Sequence, residues 1–308
     1  MKNYIVLIAK GMGMGAANVI PGVSGGTIAL ITGIFQRLID AIKSFNITAL
    51  KLFFKKDYKE FARHTDLNFL VAVFIGVAIS VFSLAKLLSW LFLHYPVFIW
   101  SYFFGLILAS VFLVGKTIEK WQFSVIVMFI SGTSIAVFIS ILSPATPNDS
   151  FFYLIICGVV AACSMILPGL SGSFVLLLMG NYILVINALG EFDVKILLPV
   201  AIGAAGGLMA FAHFLSWVYR KFRDATISTL TGFILGSLMI LWPWKKTIFR
   251  VDADGSEIIK GGKKVIEGYE MFVPNLSPEV LWALLIMIAG ALTIWIIEKL
   301  ADNELNFV

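Results

Sequence analysis

The chain has 308 residues, of which 60% are hydrophobic and 13% charged, with a net charge of +5 and a mean hydropathy of +0.97. A soluble domain is nearer one half apolar and one quarter charged, so the excess points to the bilayer as solvent for most of the length. The small positive charge falls in short loops, which fits cytoplasmic anchoring and excludes a nucleic-acid-binding role. Cys157 and Cys163 lie in an apolar stretch without metal-ligand spacing, and His64, His94 and His213 are far apart, so neither a disulfide framework nor a metal site is expected.

The first apolar segments, 4–20 and 24–42, flank a Pro-Gly break at Pro21 and Gly22. The N-terminal run resembles a signal peptide only superficially and is expected to be part of the fold, because Lys10 cuts its apolar core short and no small-x-small cleavage site precedes the next apolar run. Residues 44–64 mix phenylalanines with lysines and read as an amphipathic interfacial helix attracted to anionic phospholipid. Spans follow near 67–93, 96–115 and 122–142. Residues 151–166 and 172–189 flank a second break, at Pro168 and Gly169, and spans near 196–218, 225–243 and 279–299 end the chain. The outer loop 245–278 carries Asp254-Gly255 and Gly261-Gly262 among alternating residues, a β-hairpin signal.

The second half repeats the first. Ile20-Pro21-Gly22-Val23-Ser24-Gly25-Gly26 matches Leu167-Pro168-Gly169-Leu170-Ser171-Gly172-Ser173, with Gly33 aligned on Gly180. Leu87-Leu88-Ser89-Trp90 matches Phe214-Leu215-Ser216-Trp217, and Gly105 to Ser110 matches Gly232 to Ser237. Ordered matches at shared offsets indicate tandem copies, 1–150 and 151–308. Lys/Arg-rich loops at 43–66, 116–120 and 219–224 belong in the cytoplasm, whereas 94–96 and 143–150, without Lys or Arg, belong outside. Each half then has three full spans besides its broken segment. The odd number inverts the second copy, the plan of many secondary transporters. The expected fold is an all-α, multi-pass membrane protein with an inverted-topology repeat and both termini cytoplasmic. The broken segments, 4–42 and 151–189, read as re-entrant hairpins, since pieces of about 15 to 19 residues are short for a span of about 20.

The breaks carry the candidate chemistry. Proline removes a backbone donor and costs about 3 kcal/mol inside a helix. Irregular backbone at membrane depth survives only in protein or beside a wet cavity. Two such breaks at matching places therefore imply a central polar site. Ser24 and Ser171 are placed to cap the helices that follow. Gly25, Gly26 and Gly172 allow close approach to backbone amides, and Thr27 and Ser173 add hydroxyls. Helix starts of this kind favour an anion, either phosphate or carboxylate. Gly33, Gly180, Gly105 and Gly232 read as close-packing positions. Lys86 and its repeat equivalent His213 are ionisable groups in apolar spans, candidates for coupling or head-group contact, although Lys86 can also snorkel to the interface. Asn18 is a further candidate beside the first break. Arg37 and Asp40 could contact an anionic head group or pair with each other near the surface. No pair of deep acids, no Walker loop and no arginine ladder is present, so neither a catalytic role, nor ATP-driven transport, nor a channel is expected.

The run Gly13 to Thr27, followed by Gly33-Ile34-Phe35-Gln36-Arg37-Leu38, resembles the opening of the bacterial and archaeal polyprenyl-phosphate transporter family, and the resemblance extends over nearly the whole chain. It implies return of undecaprenyl phosphate across the cytoplasmic (inner) membrane for lipid-carrier recycling. It also implies a phosphate head-group site lined by Pro21, Gly22, Ser24, Gly25, Gly26, Thr27, Pro168, Gly169, Ser171, Gly172 and Ser173, with Arg37 at the family's charged position and no cofactor. Undecaprenyl-pyrophosphate phosphatases share the plan but have a Pro-Gly-x-Ser-Arg-Ser motif. Here Gly25 and Gly172 stand at the arginine position, and no Glu-x-x-x-Glu pair occurs in an apolar segment. A phosphatase and a small-anion transporter remain the alternatives. The oligomeric state is open, a homodimer included.

Overall fold

A computed structural model of the chain describes residues 2–19, 24–142, 144–249, 259–260, 263–264 and 266–305. Their order begins with α1 (Lys2–Val19), α2 (Gly25–Ile31), α3 (Phe35–Lys43), α4 (Ile47–Phe54) and α5 (Tyr58–His64), followed by the long helices α6 (Leu67–His94), α7 (Pro96–Gly115) and α8 (Phe123–Ile141). The second half runs through α9 (Phe151–Ile166), α10 (Gly172–Leu178), α11 (Tyr182–Glu191), α12 (Val194–Lys221) and α13 (Arg223–Leu241) to four strands and α14 (Pro278–Leu305). Six of these helices, α6, α7, α8, α12, α13 and α14, are long and apolar enough to cross a membrane. Their ends agree with the sequence-based spans to within a few residues, because uninterrupted apolar runs between turn residues fix both length and place.

Helix crossings depend on glycine. A methyl group at Gly76 of α6 would overlap the Ile8 carbonyl of α1, and one at Gly11 of α1 would overlap the Val73 carbonyl of α6. The same reciprocal arrangement recurs between α9 and α12, where Gly158 faces Val200 and Gly203 faces Ile155. Gly105 and Gly290 bring α7 against α14, and Gly132 and Gly232 bring α8 against α13. Lipid tails give helices no hydrophobic reason to associate, so close backbone approach supplies much of the attraction. The close-packing reading of Gly105 and Gly232 agrees with these contacts.

Gly33 requires a correction, whereas Gly180 packs closely as expected, since a Cβ there would come within 2.3 Å of the Ala145 carbonyl. Both have positive φ, +72° and +76°, a conformation costly for residues with a Cβ. A methyl at Gly33 would meet nothing within 4 Å, so packing does not explain this glycine. Each also ends a short helix: α2 and α3 meet at 119°, and α10 and α11 at 113°. The apolar run on either side is continuous, which is why 24–42 and 172–189 read as single helices. Residues 44–64 are likewise two helices, α4 and α5, with Lys56 at φ 60° between them. The apolar side chains Ile47, Leu50, Phe53 and Phe54 stay exposed there.

The expected β-hairpin is present. Strand β1 (Lys245–Phe249) pairs antiparallel with β4 (Ile266–Met271), and the short β2 (Ile259–Lys260) pairs with β3 (Lys263–Lys264). The tip dipeptides, Asp254-Gly255 and Gly261-Gly262, lie outside the described residues. Trp244 packs with Val280 and Ala283 at the start of α14 and anchors this ribbon. The Lys245 ammonium stacks on the Trp100 ring, 3.6 Å from its centroid, and donates to the Ile240 carbonyl.

Candidate functional site

The turn of the second break meets the first turn of α2. The Gly169 amide donates to Thr27 Oγ1 at 3.0 Å, across 142 residues of sequence. Thr27 is fully buried. Beside it, Ser24 Oγ lies 3.5 Å from the Met165 carbonyl, and a Cβ on Gly26 would come within 2.6 Å of the Ile166 carbonyl. Gly169 itself has φ +82°, and a Cβ there would press on the Phe233 carbonyl at 2.6 Å. The start of α2 and the turn before α10 are thus one junction, seated on α7, α9 and α13. Pro21 and Gly22 lie outside the described residues, whereas Pro168 and Gly169 are in the turn between α9 and α10.

The two halves of the junction differ in how their donors are used. At the start of α2, Ser24 caps the helix as expected, accepting from the Gly26 amide at 3.1 Å. Asn18 Oδ1 accepts from the Gly25 amide at 2.8 Å, and the Thr27 amide bonds the Ser24 carbonyl at 3.0 Å. Those donors are engaged inside the protein. At the start of α10, Ser171 occupies the cap position without capping, contrary to expectation. Its hydroxyl instead pairs with that of Ser173 at 2.8 Å. Ser173 is exposed and Ser171 half-buried, while Ser24 is 2% exposed. Gly172 leaves room for Met165 and the Ala161 carbonyl, which a Cβ would meet at 2.7 and 2.8 Å. The second break therefore presents hydroxyls outward, whereas the start of α2 is closed.

Arg37 stands apart from the junction, beyond α2 and its bend. Its guanidinium holds Asp66 through two bonds, at 2.6 and 3.1 Å, and covers the Phe69 ring at 4.3 Å. Asp66 adopts φ 48° at the start of α6, an unusual backbone for a residue with a side chain. Arg37, Asp66, Gly33, Gln36, Asp40 and His64 line an open cavity of about 490 Å³. Asp40 of α3 accepts from Ser216 Oγ at 2.8 Å and from Arg220 at 2.7 Å, both on α12. Gln36, one turn earlier on α3, donates to the same carboxylate at 3.0 Å. Thus Asp40 does not pair with Arg37; it joins Gln36 of its own helix to Ser216 and Arg220 of the other half.

The remaining candidates scatter. His213 sits exposed on α12, its Nδ1 2.8 Å from the Met209 carbonyl one turn earlier. Lys86 lies on α6, and its side chain is outside the described positions. One ionisable group was missed. Lys10, in the middle of α1, donates to the Thr32 carbonyl at 2.8 Å. A lone lysine inside an apolar helix is itself the signal that finds it.

A family model described as undecaprenyl phosphate translocase-like matches residues 14–258. A polyprenyl-phosphate transporter of Vibrio cholerae serotype O1 is 40% identical over 303 residues, covering 98% of each chain. A polyprenyl-phosphate transporter of Staphylococcus aureus is 29% identical over 254 residues, covering 77% of this chain and 85% of the relative. No solved structure matches the chain.

Proposed function

Since the chain belongs to the undecaprenyl phosphate translocase-like family, we propose that it carries undecaprenyl or a related polyprenyl phosphate between the leaflets of the cytoplasmic membrane. The observation that carries the reading is the bond from the Gly169 amide to Thr27 Oγ1, which joins the second break to the start of α2 in one polar junction. Helix starts offer amides and a partial positive charge to a phosphate monoester. The isoprenoid tail stays in lipid while the head group passes the junction.

Movement of the two halves follows from an inverted repeat, 1–150 against 151–308, with both termini in the cytoplasm. The packing supports alternation because it is lopsided. Among the described residues, helix α3 seats on α12, whereas its repeat counterpart α11 makes no comparable seat on α6. The side closed by α3 carries Arg220 and Lys43, hence is cytoplasmic by the charge rule. The opposite side leaves Ser171 and Ser173 accessible to a head group from the outer leaflet. In the second state the Ser24 cap opens to the cytoplasm. The protein works by binding and rocking, not hydrolysis: Gly25 and Gly172 occupy the positions where the related phosphatases place arginine.

The test is a leaflet-resolved assay of labelled polyprenyl phosphate in proteoliposomes, with wild-type protein and the double variant Ser171→Ala, Ser173→Ala. Protein-dependent movement that the variant slows at least tenfold supports the reading. No movement, with uptake of inorganic phosphate or release of it from undecaprenyl pyrophosphate, would overturn it.

A further inference from the structure

Helix α1 holds α2 at both ends. Asn18 Oδ1 takes the Gly25 amide at the start of α2, and Lys10 Nζ donates to the carbonyl of Thr32, its C-cap residue, each at 2.8 Å. Eight residues of α1 separate the two side chains, about 12 Å of helix, against roughly 10 Å for the seven residues of α2. An acceptor at the positive end and a cation at the negative end both complement the helix dipole.

The second half solves the same geometric problem without charge. There Tyr153 donates its hydroxyl to the Met179 carbonyl at 2.9 Å. Met179 precedes Gly180 as Thr32 precedes Gly33, and both are C-cap residues of the short helices. A neutral phenol therefore suffices to satisfy such a carbonyl. Capping alone does not account for an ammonium amid the otherwise uncharged residues Tyr4 to Val19, where a charge is costly and is retained for function. The carbonyl it holds belongs to the residue before Gly33. At that point α2, with the junction residues Ser24 and Thr27, turns into α3, with the Asp40 contact to α12.

We propose that Lys10 is a positioning residue for translocation: its charge fixes the pivot at Thr32–Gly33, so that the junction on α2 and the closing contact on α3 move as one body. This rests on the transport reading above. A neutral pivot lets α3 release from α12 without opening the junction, and uncouples the two events.

The test compares wild-type protein with Lys10→Arg, Lys10→Gln and Lys10→Met in lipid nanodiscs and proteoliposomes. One readout is amide hydrogen exchange at Gly33 and Ile34, whose amides bond the Leu30 and Ala29 carbonyls. The other is leaflet-resolved movement of labelled polyprenyl phosphate. Lys10→Arg should stay within about twofold of wild type in both. Lys10→Gln and Lys10→Met should exchange at least tenfold faster at the pivot, with α7 and α13 unchanged, and should move lipid at least tenfold more slowly. Wild-type behaviour of Lys10→Gln would show the charge to be dispensable and overturn the proposal, as would unchanged pivot exchange in Lys10→Met. If Lys10→Met fails to fold, the Arg–Gln comparison decides alone. A wild-type protein that moves no lipid, yet shows the expected exchange pattern among the variants, sinks the transport reading and leaves the charged pivot standing.

Discussion

Arg220 of α12 donates to the Asp40 carboxylate of α3 at 2.7 Å, a contact between helices 180 residues apart in sequence. Ser216 adds a second bond to the same carboxylate at 2.8 Å, and Lys43 reaches Ser216 at 3.4 Å. At the repeat positions Asn187 stands for Asp40 and Leu93 for Arg220. The repeat positions therefore lack the two charges that form this fastening.

Asp40→Asn should loosen that side. Arg220 is 63% exposed and Asp40 32%, so solvent screening limits the pair to about 1 kcal/mol or less. The global melting temperature should barely move. The population of the closed state should fall, and a cysteine introduced at Ser216 should react several-fold faster with a polar thiol reagent added from the side that carries Arg220 and Lys43. Equal labelling rates with and without Asp40→Asn would refute the fastening.

Thr27→Val should be far more damaging than Thr27→Ser. Valine keeps the shape but leaves the buried Gly169 amide without its acceptor, a loss of about 1–3 kcal/mol. Serine restores the oxygen. Thermal unfolding in detergent should rank wild type and serine above valine, and lipid movement should follow the same order. A valine variant as stable as wild type would mean that the junction bond is dispensable.

Gly105→Ala and Gly33→Ala separate two uses of glycine. At Gly105 a methyl overlaps the Met287 carbonyl, so α7 and α14 must part. At Gly33 nothing is struck, and the cost is the left-handed backbone alone, about 1–2 kcal/mol. Gly105→Ala should therefore lower the melting temperature more, and Gly33→Asn should be tolerated, because asparagine accepts positive φ. Circular dichroism melts check the ranking.

Burial pushes the Lys245 ammonium down from its ordinary 10.5 to about 7. The unfolded chain then binds more protons than the folded one between those values, so stability rises as pH is raised through that window and is flat below it. Melting curves from pH 7 to 9.5 should show the rise, and Lys245→Met should flatten it. A slope unchanged by that substitution would assign the effect to another group.

Much of this molecule was legible from local pattern. The long helices follow from uninterrupted apolar runs, the breaks from duplicated Pro-Gly dipeptides, and the ribbon from alternation beside glycine turns. The bends at Gly33 and Gly180 were overlooked because hydrophobicity continues across them. Yet Gly180-Asn181 is an ordinary turn signal, and buried Asn181 bonds the Asn148 backbone there. Lys10 is visible in the sequence as a lone charge, but nothing local shows that it reaches the Thr32 carbonyl, 22 residues on. Arg37 was expected at the head-group site, but its partner Asp66 lies 29 residues on, where no periodicity links the two.

By itself the sequence determined solvent, the six long apolar helices and the identity of the interrupted segments, since each depends on runs of neighbouring residues. Only the tertiary structure decided that Thr27 meets Gly169, that Ser24 is sealed while Ser173 is open, and that Asp40 belongs to Arg220. Those are pairings between distant segments, set by how glycine lets backbones approach, and chain order alone carries no measure of that distance.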